Sequence, residues 1–191
     1  MCGITIDEKD IHKLKEIGVK DSKLLTPKKR EALFPLIKEV VKEYKLIVVG
    51  PAEIDDALNS PTINLNWLEA IKTAIILDIL KPNKAIVDCP SNNIKAYQEY
   101  LSNLLKNEME LQLEHNAERY EPVAAASILA KVTRDNLIEE LKKKYGDFGS
   151  GYPSDPKTKI FLEANHAKFP EIFRTSWASY KRFSQKTLKD F

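Results

Sequence analysis

Asp88 stands at the end of the apolar run KAIVD, and Cys89-Pro90 directly after it stops any strand that the run forms. A carboxylate at the carboxyl end of a strand lies where α/β sheets open their ligand crevice. Hard cations such as Mg²⁺ and Mn²⁺ prefer oxygen ligands of that kind. The same residue type also caps helices and closes turns, and taken alone Asp88 fits that use better. Glu118 follows a second patterned run, MELQLEH, at another junction between strand and helix. If the two strands are neighbours, Asp88 and Glu118 meet at one end of a sheet and become a metal-binding pair. A lone Glu there more often serves as a first-turn charge. His115 is placed to hydrogen-bond a carboxylate or a phosphate, although a packed or exposed histidine is the commoner case.

A second set of residues suits a nucleic-acid backbone. Ser127 and Lys131 lie one helical turn apart in VAAASILAKVTRD, on one face. Backbone N–H groups and a hydroxyl near the start of a helix suit a phosphate. Close packing explains the alanines of that run, though less well the Ser/Lys pair, and Arg134 and Asp135 read as surface charges. Lys20 and Lys23 bracket Asp21-Ser22 in the loop after Gly18. Such a loop can clamp a phosphate, and a solvated connection is the plainer alternative. In GSGYPSDP, residues 149–156, two glycines flank a serine and set an aromatic ring beside a proline. That composition asks for special backbone angles. Tyr152 is suited to stack on a sugar or base, or to sense a 2′-hydroxyl. Its plainer use is as a packing residue in a turn between helices.

These residues need elements to position them. DEKDIHKLKEIG reads as a short amphipathic helix ended by Gly18. Thr26-Pro27 is an N-cap and first-turn signal for a helix to about Tyr44, with Leu33, Ile37 and Val41 on one face. KLIVVG is expected as a buried strand, residues 52–58 as a short helix and 64–80 as a longer one ended by Pro82. KAIVD is the next strand, and a helix follows from Ser91 or Asn92 to about Leu105. MELQLEH alternates as a half-buried strand does. Helices are expected over 122–144, 157–168 and 176–189. Strands alternating with helices give an α/β layer architecture, and the strandless end of the chain forms a helical cap. The expected division is residues 1–147 and 148–191.

At 191 residues the chain is long enough for a real core. Its net charge of +2 excludes a histone-like basic tail but not a local basic face. Cys2 and Cys89 are too few for a disulfide framework or a CxxC metal site, and read as free thiols of a reducing cytosol. No run reaches the length of a membrane span, and no basic-then-apolar signal opens the chain. A soluble cytoplasmic protein is the expectation.

In order along the chain, GVKDSKLLT, IVD, EHNAERY, AAASILAKVTRD, GSGYPSDP and RTSW resemble ribonuclease HII in its archaeal form. The likeness runs from about Gly18 to Trp177. It implies an RNase H-like mixed sheet flanked by helices, with the C-terminal helical cap. It implies an endonuclease that cuts the RNA strand of RNA/DNA hybrids and ribonucleotides embedded in duplex DNA, as a monomer using Mn²⁺ or Mg²⁺. Two-metal hydrolysis of this kind activates water and stabilises the leaving oxygen. By the same resemblance Asp88 and Glu118 are catalytic metal ligands and Tyr152 recognises the 2′-hydroxyl. Lys20, Lys23, Ser127 and Lys131 lie near the substrate backbone.

The sequence departs from that pattern twice. The family opens with a strand ending in DEAGRG, which this sequence does not contain, and MCGITIDEKD looks like the second strand and the helix after it. The expectation is a chain that starts downstream of the first catalytic strand, with low stability and little activity in this form. At Glu118 the family has Asp, and the stretch from His115 to Tyr120 is one residue shorter than usual. A non-catalytic nucleic-acid-binding protein is the alternative, followed by an unrelated α/β enzyme for small phosphorylated substrates. Neither explains GSGYPSDP and AAASILAKVTRD in one chain.

Overall fold

The computed structural model describes residues 1–186. Positions 187–189 of the last expected helix lie outside the described residues. The elements run β1 (Cys2–Thr5), α1 (Ile11–Glu16), α2 (Pro27–Val40), β2 (Glu43–Leu46), α3 (Pro51–Asn59), α4 (Leu65–Leu80), β3 (Lys84–Asp88) and α5 (Ile94–Leu104). Then come β4 (Glu110–Glu114), α6 (Glu121–Tyr145), α7 (Pro156–Asn165) and α8 (Ala178–Lys186). The mixed α/β class matches the expectation.

Most boundaries follow local signals. Thr26 Oγ1 accepts the Lys29 N–H at 3.3 Å and Pro27 opens α2, a capped start with a residue that needs no amide donor. The end of α2 was not legible. It stops at Val40, and β2 starts before the expected KLIVVG strand. The cause is a long-range partner: β2 pairs antiparallel with β1, with Gly3 opposite Lys45 and Thr5 opposite Glu43. The Lys42 N–H also donates to Thr5 O at 2.9 Å. That ladder overrides the helical preference of the intervening residues. It also leaves Val48 exposed rather than in a buried strand.

β3 and β4 run parallel, as a pair joined through α5 must. Their side chains alternate between two faces. Ala85, Val87, Leu111 and Leu113 pack with Ala70, Ala74 and Leu77 of α4 and with Tyr97 and Leu101 of α5. Ile86, Asp88, Gln112 and Glu114 occupy the opposite face. Among the described residues the strands form two sheets, β1–β2 and β3–β4, and each strand has one neighbour.

The chain divides into two units, neither continuous in sequence: Met1–Val48 with Asn66–Thr133, and Val49–Leu65 with Arg134–Phe191. The second takes in α3 and the last part of α6 as well as the expected C-terminal segment. The first unit holds two apolar clusters, the one under β3–β4 and another around Leu14, Leu33, Ile37, Ala125, Ile128 and Leu129. The alanines of α6 therefore do pack.

Candidate active site

In the first unit, Asp88 and Glu114 are register partners at the carboxyl end of the parallel pair, on the face away from the apolar cluster. Asn116 follows with φ 57, a left-handed conformation that Asn tolerates better than most residues. It turns the chain into a single 3₁₀ turn, Ala117–Arg119. The turn presents the Ala117 N–H to Asp88 Oδ1 at 2.9 Å. Glu118, the next residue, is thereby brought to the strand end. His115 is spent on structure, its Nδ1–H donating to Cys89 O at 3.0 Å.

Glu118 is the centre of a closed polar cluster. Its Oε1 accepts from Ser127 Oγ at 2.6 Å and Ser22 Oγ at 3.2 Å, and its Oε2 accepts from Lys23 Nζ at 2.7 Å. The two hydroxyls lie 3.0 Å apart. Ser22 is fully buried. Its loop is pinned by Val19 and Leu25 in the core and by Arg30 Nη1, which donates to the carbonyls of Ser22 and Leu25. Burial would raise the Glu118 carboxyl, but the hydrogen bonds from Lys23 and Ser127 outweigh it and hold it at about 2. The hydrogen bond to Glu118 holds the Lys23 ammonium above its ordinary range.

Glu118, Lys23 and Ser127 are thus brought together, and Asp88 touches the same turn. Lys131 lies one helical turn beyond Ser127 and Lys20 is exposed in its loop. Among the described residues neither hydrogen-bonds to the cluster. Ser127 is not at an open helix end, because the Ala124 N–H already donates to Tyr120 O at 2.9 Å. Its hydroxyl serves Glu118 instead. In the sequence Ser22 reads only as part of a cationic loop, and Glu114 only as part of a strand. Only the pairing of β3 with β4 reveals Glu114. It is held by Arg119 and by the Tyr120 hydroxyl at 3.1 Å.

In the second unit, the GSGYPSDP loop is fixed by its own neighbours. Gly149 and Gly151 have φ of 75 and 72, backbone that other residues adopt only under strain. Asp155 accepts the Ser150 N–H at 2.7 Å and the Lys157 N–H at 2.9 Å. Those bonds hold its carboxyl at about 2. Thr158 Oγ1 accepts the Gly151 N–H at 3.0 Å and donates to Phe148 O at 2.8 Å. Tyr152 stands at the apex, 48% exposed. Arg134 is not merely a surface charge. Its guanidinium carbon lies 3.9 Å from the centroid of the Tyr152 ring, and its Nη2 donates to Ser150 O at 2.7 Å. Asp55 is a further residue without any sequence signal. Buried at 7% exposure, it accepts from the backbone N–H groups and the hydroxyls of both Thr175 and Ser176 in RTSW.

Oxygen donors at a sheet end are the right chemistry for a hard cation, which is commonly held by one or two carboxylates together with substrate phosphates. Asp88 meets that description directly. Glu118 meets it through Oε2, where Lys23 now sits. Among the described residues no group of three or more His, Cys, Asp or Glu side chains is gathered as metal ligands.

The resemblance stated on the motifs extends to sequence and fold together. The Pyrococcus horikoshii ribonuclease HII is 44% identical over 191 residues, 97% of this chain and 85% of the relative. The crystal structure of the ribonuclease H2 from Pyrococcus horikoshii OT3 superposes with a TM-score of 0.87, covering 96% of this chain and 88% of that one. The structure of the PCNA:RNase HII complex from Archaeoglobus fulgidus gives 0.82 at 35% identity, covering 100% of this chain and 99% of that one. Bst-RNase HIII in complex with Mn²⁺ shares the fold at a TM-score of 0.78 and 20% identity, covering 96% of this chain and 63% of that one. The family profile described as ribonuclease HII matches residues 1–180. With that profile spanning residues 1–180 and a relative 44% identical over nearly its whole length, this chain belongs to the ribonuclease HII family.

Proposed function

We propose that Asp88 is the principal metal-holding carboxylate of a metal-dependent endoribonuclease, with Glu118 assisting once Lys23 gives up its oxygen. The substrate is an RNA/DNA hybrid, or duplex DNA carrying a ribonucleotide. The observation that carries this is the meeting of Asp88 with the Ala117–Arg119 turn at the carboxyl end of β3. The metal, Mn²⁺ or Mg²⁺, would supply activation of water and charge neutralisation at the phosphate. Manganese bound to the fold relative Bst-RNase HIII favours an ion of this class.

The protein side of the chemistry is positioning. The Ala117 N–H orients one oxygen of Asp88. Lys23 and Ser127 keep Glu118 ionised, so no proton need leave it before a cation or a phosphate approaches. Lys20 and Lys131 contribute charge toward the nucleic-acid backbone. Tyr152, exposed at a loop held rigid by Asp155 and Thr158, reads the 2′-hydroxyl. The working form is a cytoplasmic monomer, a compartment that suits the free thiols Cys2 and Cys89.

On this reading the 191-residue chain cleaves slowly. Its described residues gather few metal ligands, and each strand has one neighbour.

The test is cleavage of a labelled duplex containing one ribonucleotide, with Mn²⁺ or Mg²⁺, beside the Pyrococcus horikoshii enzyme. Cutting at the ribonucleotide is expected, slower than the relative's. Asp88→Asn should lower the rate by about 10²–10³-fold, the usual loss when one group that stabilises transition-state charge is removed. Binding of the hybrid without any metal-dependent cleavage would favour the non-catalytic alternative. An unchanged rate in Asp88→Asn would end the assignment of Asp88.

A further inference from the structure

We infer that Arg134 is the positioning residue for Tyr152, setting the ring in the orientation that distinguishes a ribonucleotide from a deoxyribonucleotide. The inference rests on the reading of Tyr152 as the 2′-hydroxyl sensor.

The loop around Tyr152 is fixed at its backbone, but backbone bonds leave a tyrosine ring free to choose among rotamers. Ser150 and Gly151 are held through their N–H groups by Asp155 and Thr158, and neither bond touches the ring. Arg134 supplies the missing restraint. Its guanidinium carbon lies 3.9 Å from the ring centroid, well inside the range for cation–π attraction. The same guanidinium is anchored at two other points. Nη2 donates to Ser150 O at 2.7 Å, and Nη1 lies 3.2 Å from Asp135 Oδ1.

A planar fork can satisfy a carbonyl at its edge while its face covers a ring, which a lysine ammonium cannot do. Space for it is made at Gly151, where a Cβ would come within 3.2 Å of Arg134 Nη2. The ring is covered on one side, and Tyr152 as a whole remains 48% exposed, leaving it accessible to a ligand. A sensor whose ring wanders would bind ribose and deoxyribose more alike, because a hydrogen bond to one hydroxyl depends on sub-ångström placement.

The test is a double-mutant cycle read by binding, which needs no turnover. Fluorescence anisotropy in EDTA gives Kd for a duplex with one ribonucleotide and for its all-deoxy counterpart, and the ratio of the two is the discrimination. The variants are Tyr152→Ala, Arg134→Ala, both together, and Arg134→Lys, each checked for an unchanged melting transition. Tyr152→Ala should lower discrimination about tenfold, the value of one hydrogen bond. Arg134→Ala should lower it about threefold. The double variant should be no worse than Tyr152→Ala alone, since a residue acting through another adds nothing once that one is gone.

Arg134→Lys should leave discrimination at the Arg134→Ala level, because an ammonium cannot bond Ser150 O at its edge while its face covers the ring. Additive losses in the double variant, or full recovery of discrimination by lysine, would mean that Arg134 acts independently of how the Tyr152 ring is set and would overturn the inference. Loss of discrimination in Tyr152→Ala without any loss in Arg134→Ala would overturn it while leaving the reading of Tyr152 intact. Unchanged discrimination in Tyr152→Ala would overturn both.

Discussion

The Glu118 cluster and the Tyr152 loop are both hydrogen-bonded polar sites, yet they are built in opposite ways. Three of the four bonds among Ser22, Lys23, Glu118 and Ser127 join residues 95, 96 and 105 positions apart, and the fourth, from Ser127 to Glu118, spans 9. Those that shape the loop span 5, 7 and 10 positions. Local bonds close short loops at small entropic expense, so the loop forms from its own sequence. The Glu118 cluster depends on α1, α2 and α6 being packed around Leu14, Ile37 and Ile128. One site is therefore a consequence of the core and the other is largely independent of it. Damage to the first should spread, and damage to the second should stay where it is made.

Three measurements would sharpen or break that contrast. The largest effect is expected from Glu118→Ala, which removes the acceptor shared by the buried Ser22 hydroxyl, Ser127 and Lys23 and leaves the two hydroxyls only each other. Leaving buried polar groups without partners costs about 1–3 kcal/mol. Urea unfolding should show that loss as a shift of the whole transition, and a wild-type midpoint would detach the cluster from the core. A smaller loss, about 1 kcal/mol, is expected from Gly149→Ala. There a Cβ would lie 2.7 Å from Asp155 Oδ2 at a left-handed backbone. Amide exchange should quicken at Ser150 and Gly151 while the β3–β4 ladder stays protected. Faster exchange in that ladder would mean that the loop is not self-contained.

The third measurement is a pH dependence. Glu118 has its carboxyl depressed to about 2 in the fold, against an ordinary value of 4.5. Its contribution to stability is complete above 4.5 and fades as pH falls toward 2. The stability gap between wild type and Glu118→Gln should narrow across that window. A gap that stays constant would show that Glu118 is not held ionised by its neighbours.

Legibility in the sequence follows the same division. The GSGYPSDP turn and the Thr26-Pro27 cap of α2 could be read because adjacent residues decide them. Asp88 could be placed at a strand end because KAIVD and the following Cys-Pro mark that end. Ser22 could not be picked out, since nothing in KDSK tells a buried hydroxyl from a solvated one. Asp55 was equally silent, with partners more than a hundred residues away. Arg134 looked like an ordinary helix charge until the loop was folded against it.

The sequence by itself determined the alternation of strands and helices, the strand-end carboxylate, the glycine-permitted loop and the family to which the chain belongs. Each is written in neighbouring residues or in motifs read in order. Tertiary structure alone decided that β2 starts early to meet β1 and that Glu114 stands beside Asp88. It also decided that Ser127 serves Glu118 rather than an open helix end, and that Asp55 holds Thr175 and Ser176. The physical reason is common to all of these. A strand ladder, a buried hydroxyl and a buried carboxylate must each find a partner once water is excluded, and the partner that is found is set by packing, not by distance along the chain.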